Sequence, residues 1–234
     1  MGQPNAYARF TGFTLMAGGV FVVIGMAIRP LLVEQNFQFQ ASDLMNIAEH
    51  RTVWIMSYQI MVFGLFLRLM GLVSLGTTHG GNDARAILYP GIAVCGAAIL
   101  VNALSAGYYM HIGFWGGDEL KAASDATRQS FMANIQPTGE YMMCLERMAK
   151  MFFSLGLLVT GIGLALGHVL PRWIGISGAV IGMTGMMALF ALPLNRVVFV
   201  PFDILIALWF VLLGFKTLGG KTAASAGRIH PAAA

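Results

Sequence analysis

The sequence predicts an all-α integral membrane protein, a polytopic transmembrane bundle of six helices with short external helical segments. The first observation is composition: 57% of the residues are hydrophobic and 10% are charged, whereas soluble domains carry about 25% charged residues. The second is a set of six apolar stretches, each near the ~20 residues that cross a hydrocarbon core of about 30 Å. We place the spans at 10–32, 53–76, 86–112, 148–168, 173–192 and 198–217.

These spans occupy most of the 234 residues. We therefore predict a single integral membrane domain, 1–234, with the lipid bilayer as its main partner. The formal charge of +4 raises the question of nucleic-acid binding, but the sequence has no Lys/Arg cluster with interleaved aromatic residues. We expect no nucleic-acid partner.

The connection before the second span contains the helix-start residues Ser42 and Asp43. We predict that a helix begins there and continues into the membrane, so that Glu49, His50 and Arg51 form its outer turns. This charged triplet is then either a functional site at the membrane edge or the polar collar of a spanning helix.

The long connection 113–147 is expected to hold a short helix that starts at Asp118 and ends before Pro137, because proline disfavours helix at the preceding residue. The fourth membrane helix then starts near Gly139, outside the lipid. Glu146 and Lys150 have the favourable i, i+4 spacing for an ion pair on that helix.

Six spans place both termini on one side of the membrane. That side carries six Lys/Arg and a single acidic residue, whereas the opposite side carries seven Lys/Arg and a surplus of Asp and Glu. Three of these seven lie in or beside the long connection 113–147, where the positive-inside rule weakens. We therefore predict that both termini are cytoplasmic.

Two histidines are candidate cofactor ligands. His50 opens the second span and His111 closes the third, so an antiparallel hairpin brings both to the same external edge. Such a pair can hold a haem iron, or a copper ion together with soft ligands such as Met110, Met142, Met143 or Cys144. The alternative is an interfacial role in an aromatic belt with Trp54, Tyr108, Tyr109 and Trp115. We favour the belt and predict no cofactor or metal, with haem or copper as the alternative.

Charged residues within spans are functional candidates by default. Arg68 lies about 12 Å from the inner end of its span at 1.5 Å per residue, a distance that its long side chain can nearly cover by snorkelling. Asp203 follows Pro201 and is interpreted as a first-turn acid that complements the helix dipole. Arg196 is close enough in sequence to be its partner.

Two classes of function remain open at this point. Gly163–Gly167 and Gly178–Gly182 are small-residue pairs that permit close helix packing, and no hydrolase or phosphate-binding motif is present. These features favour a non-enzymatic accessory or scaffolding membrane component. The alternative is a small transporter or channel, whose polar route would use Ser57, Gln59, Arg68, Asn102 and Ser105.

Three stretches resemble a known family: ARFTGF at 8–13, SDLMNIAEHRTVW at 42–54 and LGLLVTGIGLALGHVLPRWIGISGAVIGMTGMM at 155–187. The layout is similar to a family of bacterial six-helix membrane proteins that is catalogued as a domain of unknown function. The resemblance implies a six-helix fold and a bacterial inner membrane. It implies no catalytic or ligand residues.

Overall fold

The computed structural model describes residues 6–32, 41–78, 82–167, 170–191 and 196–219. Within these ranges every regular element is an α-helix and there is no strand, so the all-α prediction is confirmed. The helices are α1 (Ala6–Leu32), α2 (Ala41–Glu49), α3 (Arg51–Thr78), α4 (Asn82–Ala122), α5 (Asp125–Leu166), α6 (Arg172–Ala191) and α7 (Arg196–Gly219).

Six of these helices are long and apolar enough to cross a membrane. They are α1 and α3 to α7, and each overlaps one of the six predicted spans; the spans 148–168 and 173–192 extend past the last residues of α5 and α6. The chain is therefore a multi-pass membrane protein. Helix α2 has nine residues and is too short to cross a membrane. Among the described residues it is the one separate helix that lies outside the predicted spans.

The structure corrects two predicted helix boundaries. The chain leaves helical geometry at His50, so α2 and α3 are separate helices instead of one helix from Ser42. The short helix expected between Asp118 and Pro137 is absent: α4 continues to Ala122, and α5 starts at Asp125 and passes through Pro137. Ser124 caps α5 by accepting a hydrogen bond from the Thr127 amide at 3.4 Å, which explains the early start.

The six spanning helices form a ring in the order α1, α3, α4, α5, α6, α7, and α7 packs back against α1. The start of α1 and the end of α7 lie on one side, here called the termini side, and the opposite side is called the far side. Because successive spans are antiparallel, α3, α5 and α7 begin at the far side.

Close backbone approaches hold neighbouring helices of the ring together. A Cβ atom added to Gly161 of α5 would lie 2.3 Å from the Ala179 amide nitrogen of α6, and one added to Gly175 would lie 2.3 Å from that of Ala165. Such contacts require glycine because the backbones would otherwise have to separate.

The two predicted glycine pairs do not each form a single packing face. Gly178 packs on the Trp209 indole of α7, whereas Gly182 packs on the backbone of α5 at Leu158. Gly163 contacts Leu88 of α4, and Gly167 caps the end of α5. Gly163, Gly178 and Gly182 therefore pack against three different helices of the ring, whereas Gly167 ends its own helix.

The core has two apolar clusters, one towards each side of the membrane. The termini-side cluster includes Leu15, Leu72, Leu88, Leu157 and Phe210, all at most 1% exposed. The far-side cluster is built around Trp54, Tyr58, Ile99 and Tyr109. A cavity lies between these clusters and is lined by residues of all six spanning helices.

On the far side, α4 and α5 extend beyond the membrane. Each has more than 40 residues and is therefore about 60 Å long, twice the hydrocarbon thickness. The buried residues Leu44 and Ile47 of α2 pack on this extension. Arg51 forms an ion pair with Asp118, and Lys121 lies 3.9 Å from Glu49.

Candidate functional site

Arg68 is the most deeply buried charged residue that the described structure shows, with 2% of its surface exposed. Its Nε donates a hydrogen bond to the Gly18 carbonyl at 3.2 Å, and its Nη2 donates to the Gly19 carbonyl at 3.5 Å. The guanidinium lies 4.8 Å from the centre of the Phe210 ring, in cation–π range. Arg68 does not snorkel to the membrane surface, which corrects the sequence-based expectation.

Glycine at position 18 makes this placement of Arg68 feasible. A Cβ atom at Gly18 would lie 2.7 Å from the Arg68 amide nitrogen and 2.8 Å from its Cγ. Because α1 and α3 approach so closely here, the Arg68 side chain reaches the α1 carbonyls without leaving the bundle. These backbone oxygens take the place of water around the guanidinium.

Three further charged residues form a second group in the same cavity. The Lys150 ammonium of α5 lies 3.4 Å from the Asp203 carboxylate of α7 and 3.6 Å from that of Glu146, one turn before it. The three side chains are 20–23% exposed. The Lys150–Asp203 pair crosses the ring, because α5 and α7 are separated by α6.

Asp203 is not a helix-start residue. Since α7 begins at Arg196, Asp203 lies two turns inside the helix and Pro201 is also inside it. The observed partner of Asp203 is Lys150. The predicted partner, Arg196, has a side chain outside the described residues. Asp203 also interacts electrostatically with Arg68 without lying within ion-pair distance of it.

The cavity has a volume of about 120 Å³, and most of its lining is apolar. Asn102 and Ser105 of α4 add polar groups, and Ser105 also donates to the Met142 carbonyl at 3.4 Å. The aromatic rings of Tyr58 and Tyr109 stack with their centres 5.8 Å apart on the far-side wall. The cavity thus joins a few polar groups to a larger apolar surface, as small-molecule sites do.

The cavity lies closer to the far side than to the termini side. Its lining residue Leu189 is two residues from the far-side end of α6, and Asp203 is seven residues, or about 10 Å, from the far-side start of α7. One turn beyond the cavity residues towards the termini side, Leu72, Cys95, Leu157 and Phe210 belong to the termini-side cluster. A packed apolar layer therefore closes the cavity towards the termini side.

The other predicted polar candidates lie apart from the cavity. Ser57 is fully buried and donates to the Trp54 carbonyl at 2.7 Å, a bond within its own helix. Gln59 is exposed on the outward face of α3. Of the five residues proposed for a polar route, the structure brings together Arg68, Asn102 and Ser105.

The two histidines lie outside the cavity lining. His50 is half-buried, and its Nδ1 is 3.3 Å from the Asn46 carbonyl. His111 is exposed and stacks on Trp115 with ring centres 6.0 Å apart. A haem or copper site that uses both histidines stays a prediction, which an absorbance spectrum and metal analysis of the purified protein would test.

Sequence analysis missed Glu146 and Lys150 as site residues because Glu146 precedes the predicted span 148–168 and Lys150 lies at its very start, where charged residues are expected. Their ion pair was predicted and is confirmed. The missing information was which face of α5 points inwards. Ala149, Phe153 and Ser154 also line the cavity, and their spacing marks one helical face together with Glu146 and Lys150.

No family model, curated protein or solved structure matches this chain. The resemblance to the bacterial six-helix family therefore stays a prediction.

Proposed function

We propose that the protein is a small-solute transporter that binds its substrate in the central cavity. The observation that carries this proposal is the convergence of all six spanning helices on one cavity that contains Arg68, Glu146, Lys150 and Asp203. Charged residues inside membrane bundles are costly and mark substrate or ion pathways. A bundle that served only as a scaffold has no need of four such groups around an internal space.

The packing on the two sides of the cavity bears on the transport cycle. The termini-side cluster closes one end of the cavity, and the far-side cluster, with Tyr58 and Tyr109 in the cavity wall, lies at the other end. In this proposal the described structure is a closed state, and transport requires two further states, in which the far-side cluster or the termini-side cluster separates. The termini are cytoplasmic, and the membrane is a bacterial inner membrane.

Cysteine labelling from the two sides of the membrane tests the proposal. Ser105→Cys places a thiol in the cavity, and Leu104→Cys places one on the outward face of the same helix, where Leu104 is 71% exposed. The exposed native Cys144 is first replaced by serine, and the buried Cys95 is kept. The reagent is a charged, membrane-impermeant methanethiosulfonate.

We expect Ser105→Cys to react from outside intact cells and, in inverted vesicles, from the cytoplasmic side as well. Leu104→Cys should react from neither side, because a charged reagent does not enter lipid and a thiol there stays protonated. A Ser105→Cys protein that is inert from both sides would contradict the transporter proposal.

An accessory role remains a second candidate because of Gln59. This amide is exposed on α3 beside Phe63, which is 56% exposed, and Met56, which is 51% exposed. An amide in contact with lipid is unfavourable, and Gln side chains commonly form hydrogen bonds between membrane helices. Native mass spectrometry in mild detergent distinguishes the roles: an accessory subunit carries a partner that Gln59→Leu releases, whereas a transporter working alone carries none.

A further inference from the structure

We propose that the central cavity recognises a small zwitterion, a molecule that carries one carboxylate and one ammonium group, of the size of the smallest α-amino acids. This inference rests on the proposed transport function and names its substrate class. It follows from the unused donors of Arg68, from the distribution of charge around the cavity and from the cavity volume.

Arg68 supplies the carboxylate site. A guanidinium has five N–H donors, and the two hydrogen bonds to Gly18 and Gly19 use Nε and Nη2. The two N–H groups of Nη1 have no acceptor among the described residues, and no carboxylate there lies within ion-pair distance of Arg68. The Nη1–Nη2 edge therefore offers a fork that fits the two oxygens of a carboxylate.

The second group of charges supplies the ammonium site. Lys150 contributes one positive charge, and Glu146 and Asp203 contribute two negative charges, so this group has a net charge of −1. An ionised carboxylate can accept about four hydrogen bonds. Asp203 can therefore bind Lys150 and a ligand ammonium at the same time.

The charge balance decides between ligand classes. Among the described residues that line the cavity, Arg68 carries +1 and the second group carries −1, so these four side chains are together neutral and form a positive and a negative end. A simple anion would leave an uncompensated negative charge inside the membrane, and a simple cation would leave a positive one. Both are strongly unfavourable in a low-dielectric interior, whereas a zwitterion preserves neutrality.

The volume limits the size of the ligand. The cavity measures about 120 Å³, and a protein cavity of about 150 Å³ accommodates benzene. The ligand therefore has roughly five or six non-hydrogen atoms. Glycine and alanine satisfy this limit, and the apolar lining accepts a methyl group.

Thermal unfolding of the full-length protein in mild detergent tests the inference with four compounds of similar size: glycine, alanine, propionate and propylamine. A ligand that binds the folded state raises the unfolding midpoint in proportion to the logarithm of its concentration above Kd. We expect glycine or alanine to raise the midpoint, and we expect propionate and propylamine at equal concentration to leave it unchanged.

Two variants test which cavity residue binds each charged group of the ligand. Arg68→Gln and Asp203→Asn should each weaken binding about 100-fold, because each variant leaves one charged end of the ligand without its partner inside the cavity. Glu49→Gln is the control, since its ion pair with Lys121 lies outside the cavity lining, and it should bind normally. If a cavity variant fails to fold, the comparison of the four compounds on the unaltered protein still distinguishes a zwitterion site from a site for a simple anion or cation.

The outcomes separate this inference from the proposed function. Binding of propionate as tight as that of alanine, or binding of none of the four compounds, would reject the zwitterion. If Ser105→Cys is nevertheless labelled from both sides, the transporter proposal stands with another substrate. If that thiol is inert, the transporter proposal itself fails.

Discussion

At the residue scale, the cavity shows how charged groups are kept inside an apolar bundle. Arg68 relies on backbone carbonyls and an aromatic ring, whereas Lys150 relies on two carboxylates. The group around Lys150 is the more easily disturbed, because removal of the Lys150 ammonium leaves the negative carboxylates of Glu146 and Asp203 close to each other.

We predict that Lys150→Met lowers the free energy of unfolding by about 1–2 kcal/mol, because it leaves Glu146 and Asp203 without their shared cation while water partly screens the loss. The double variant Lys150→Met with Asp203→Asn should recover part of that loss. Equilibrium unfolding in mixed detergent gives these values.

Lys121→Met is the matched control. The ammonium of Lys121 lies 3.9 Å from Glu49, and both side chains are well exposed. Such surface pairs contribute little, so the change should stay below about 0.5 kcal/mol. Equal losses in Lys150→Met and Lys121→Met would show that the cavity pair has no special role.

Some of the site can be predicted from the sequence by one rule, that an ionisable residue within a span is functional. This rule selects Arg68 and Asp203, and both line the cavity. Lys150 also falls within the predicted span 148–168, but its position at the start of that span makes it look like part of the polar entrance of the helix, because hydropathy does not tell which face points inwards. The rule also gives the wrong role to Asp203, because the start of a helix in an apolar sequence is weakly marked.

At the element scale, the glycine contacts determine how closely α5 and α6 approach. We predict that Gly161→Ala lowers the unfolding free energy by about 1–3 kcal/mol, because the new methyl group meets the Ala179 backbone and the helices must separate. Thermal unfolding in detergent measures the loss.

Gly107→Ala provides the comparison for this effect. Gly107 lies within α4 and has no atom within 4 Å of an added Cβ among the described residues. Alanine is the better helix former by up to about 1 kcal/mol, so this variant should be as stable as the wild type or more stable. A similar loss in both variants would contradict the prediction, because it would show that the close approach at Gly161 is not what makes alanine unfavourable there.

The helices themselves are well predicted and their external ends are not. Every predicted span overlaps a separate observed helix, because about 20 apolar residues leave few alternatives in a bilayer. The errors concern polar segments without a hydropathy signal, namely the far-side parts of α4 and α5 and the break at His50. The sequence predicts a stop before Pro137, but the structure continues the helix through it.

At the scale of the whole molecule, the far-side extension and the termini lie on opposite faces of the membrane. In a protein whose exposed Cys144 is replaced by serine, we predict that a thiol at Ala126→Cys, in the exposed first turns of α5, reacts with an impermeant maleimide in intact cells. A thiol at Pro171→Cys, between α5 and α6 on the termini side, should react only after the cells are permeabilised. The reverse pattern would place the termini outside.

The contact of Arg68 with α1 has a consequence for how the chain enters the membrane. An arginine within a spanning helix costs up to about 2.5–3.5 kcal/mol on insertion scales, which offsets part of the gain from the apolar residues of α3. The carbonyls of Gly18 and Gly19 belong to α1, which is synthesised before α3, whereas Asp203 is synthesised much later. The α1 carbonyls are therefore available to Arg68 before Asp203 has been made.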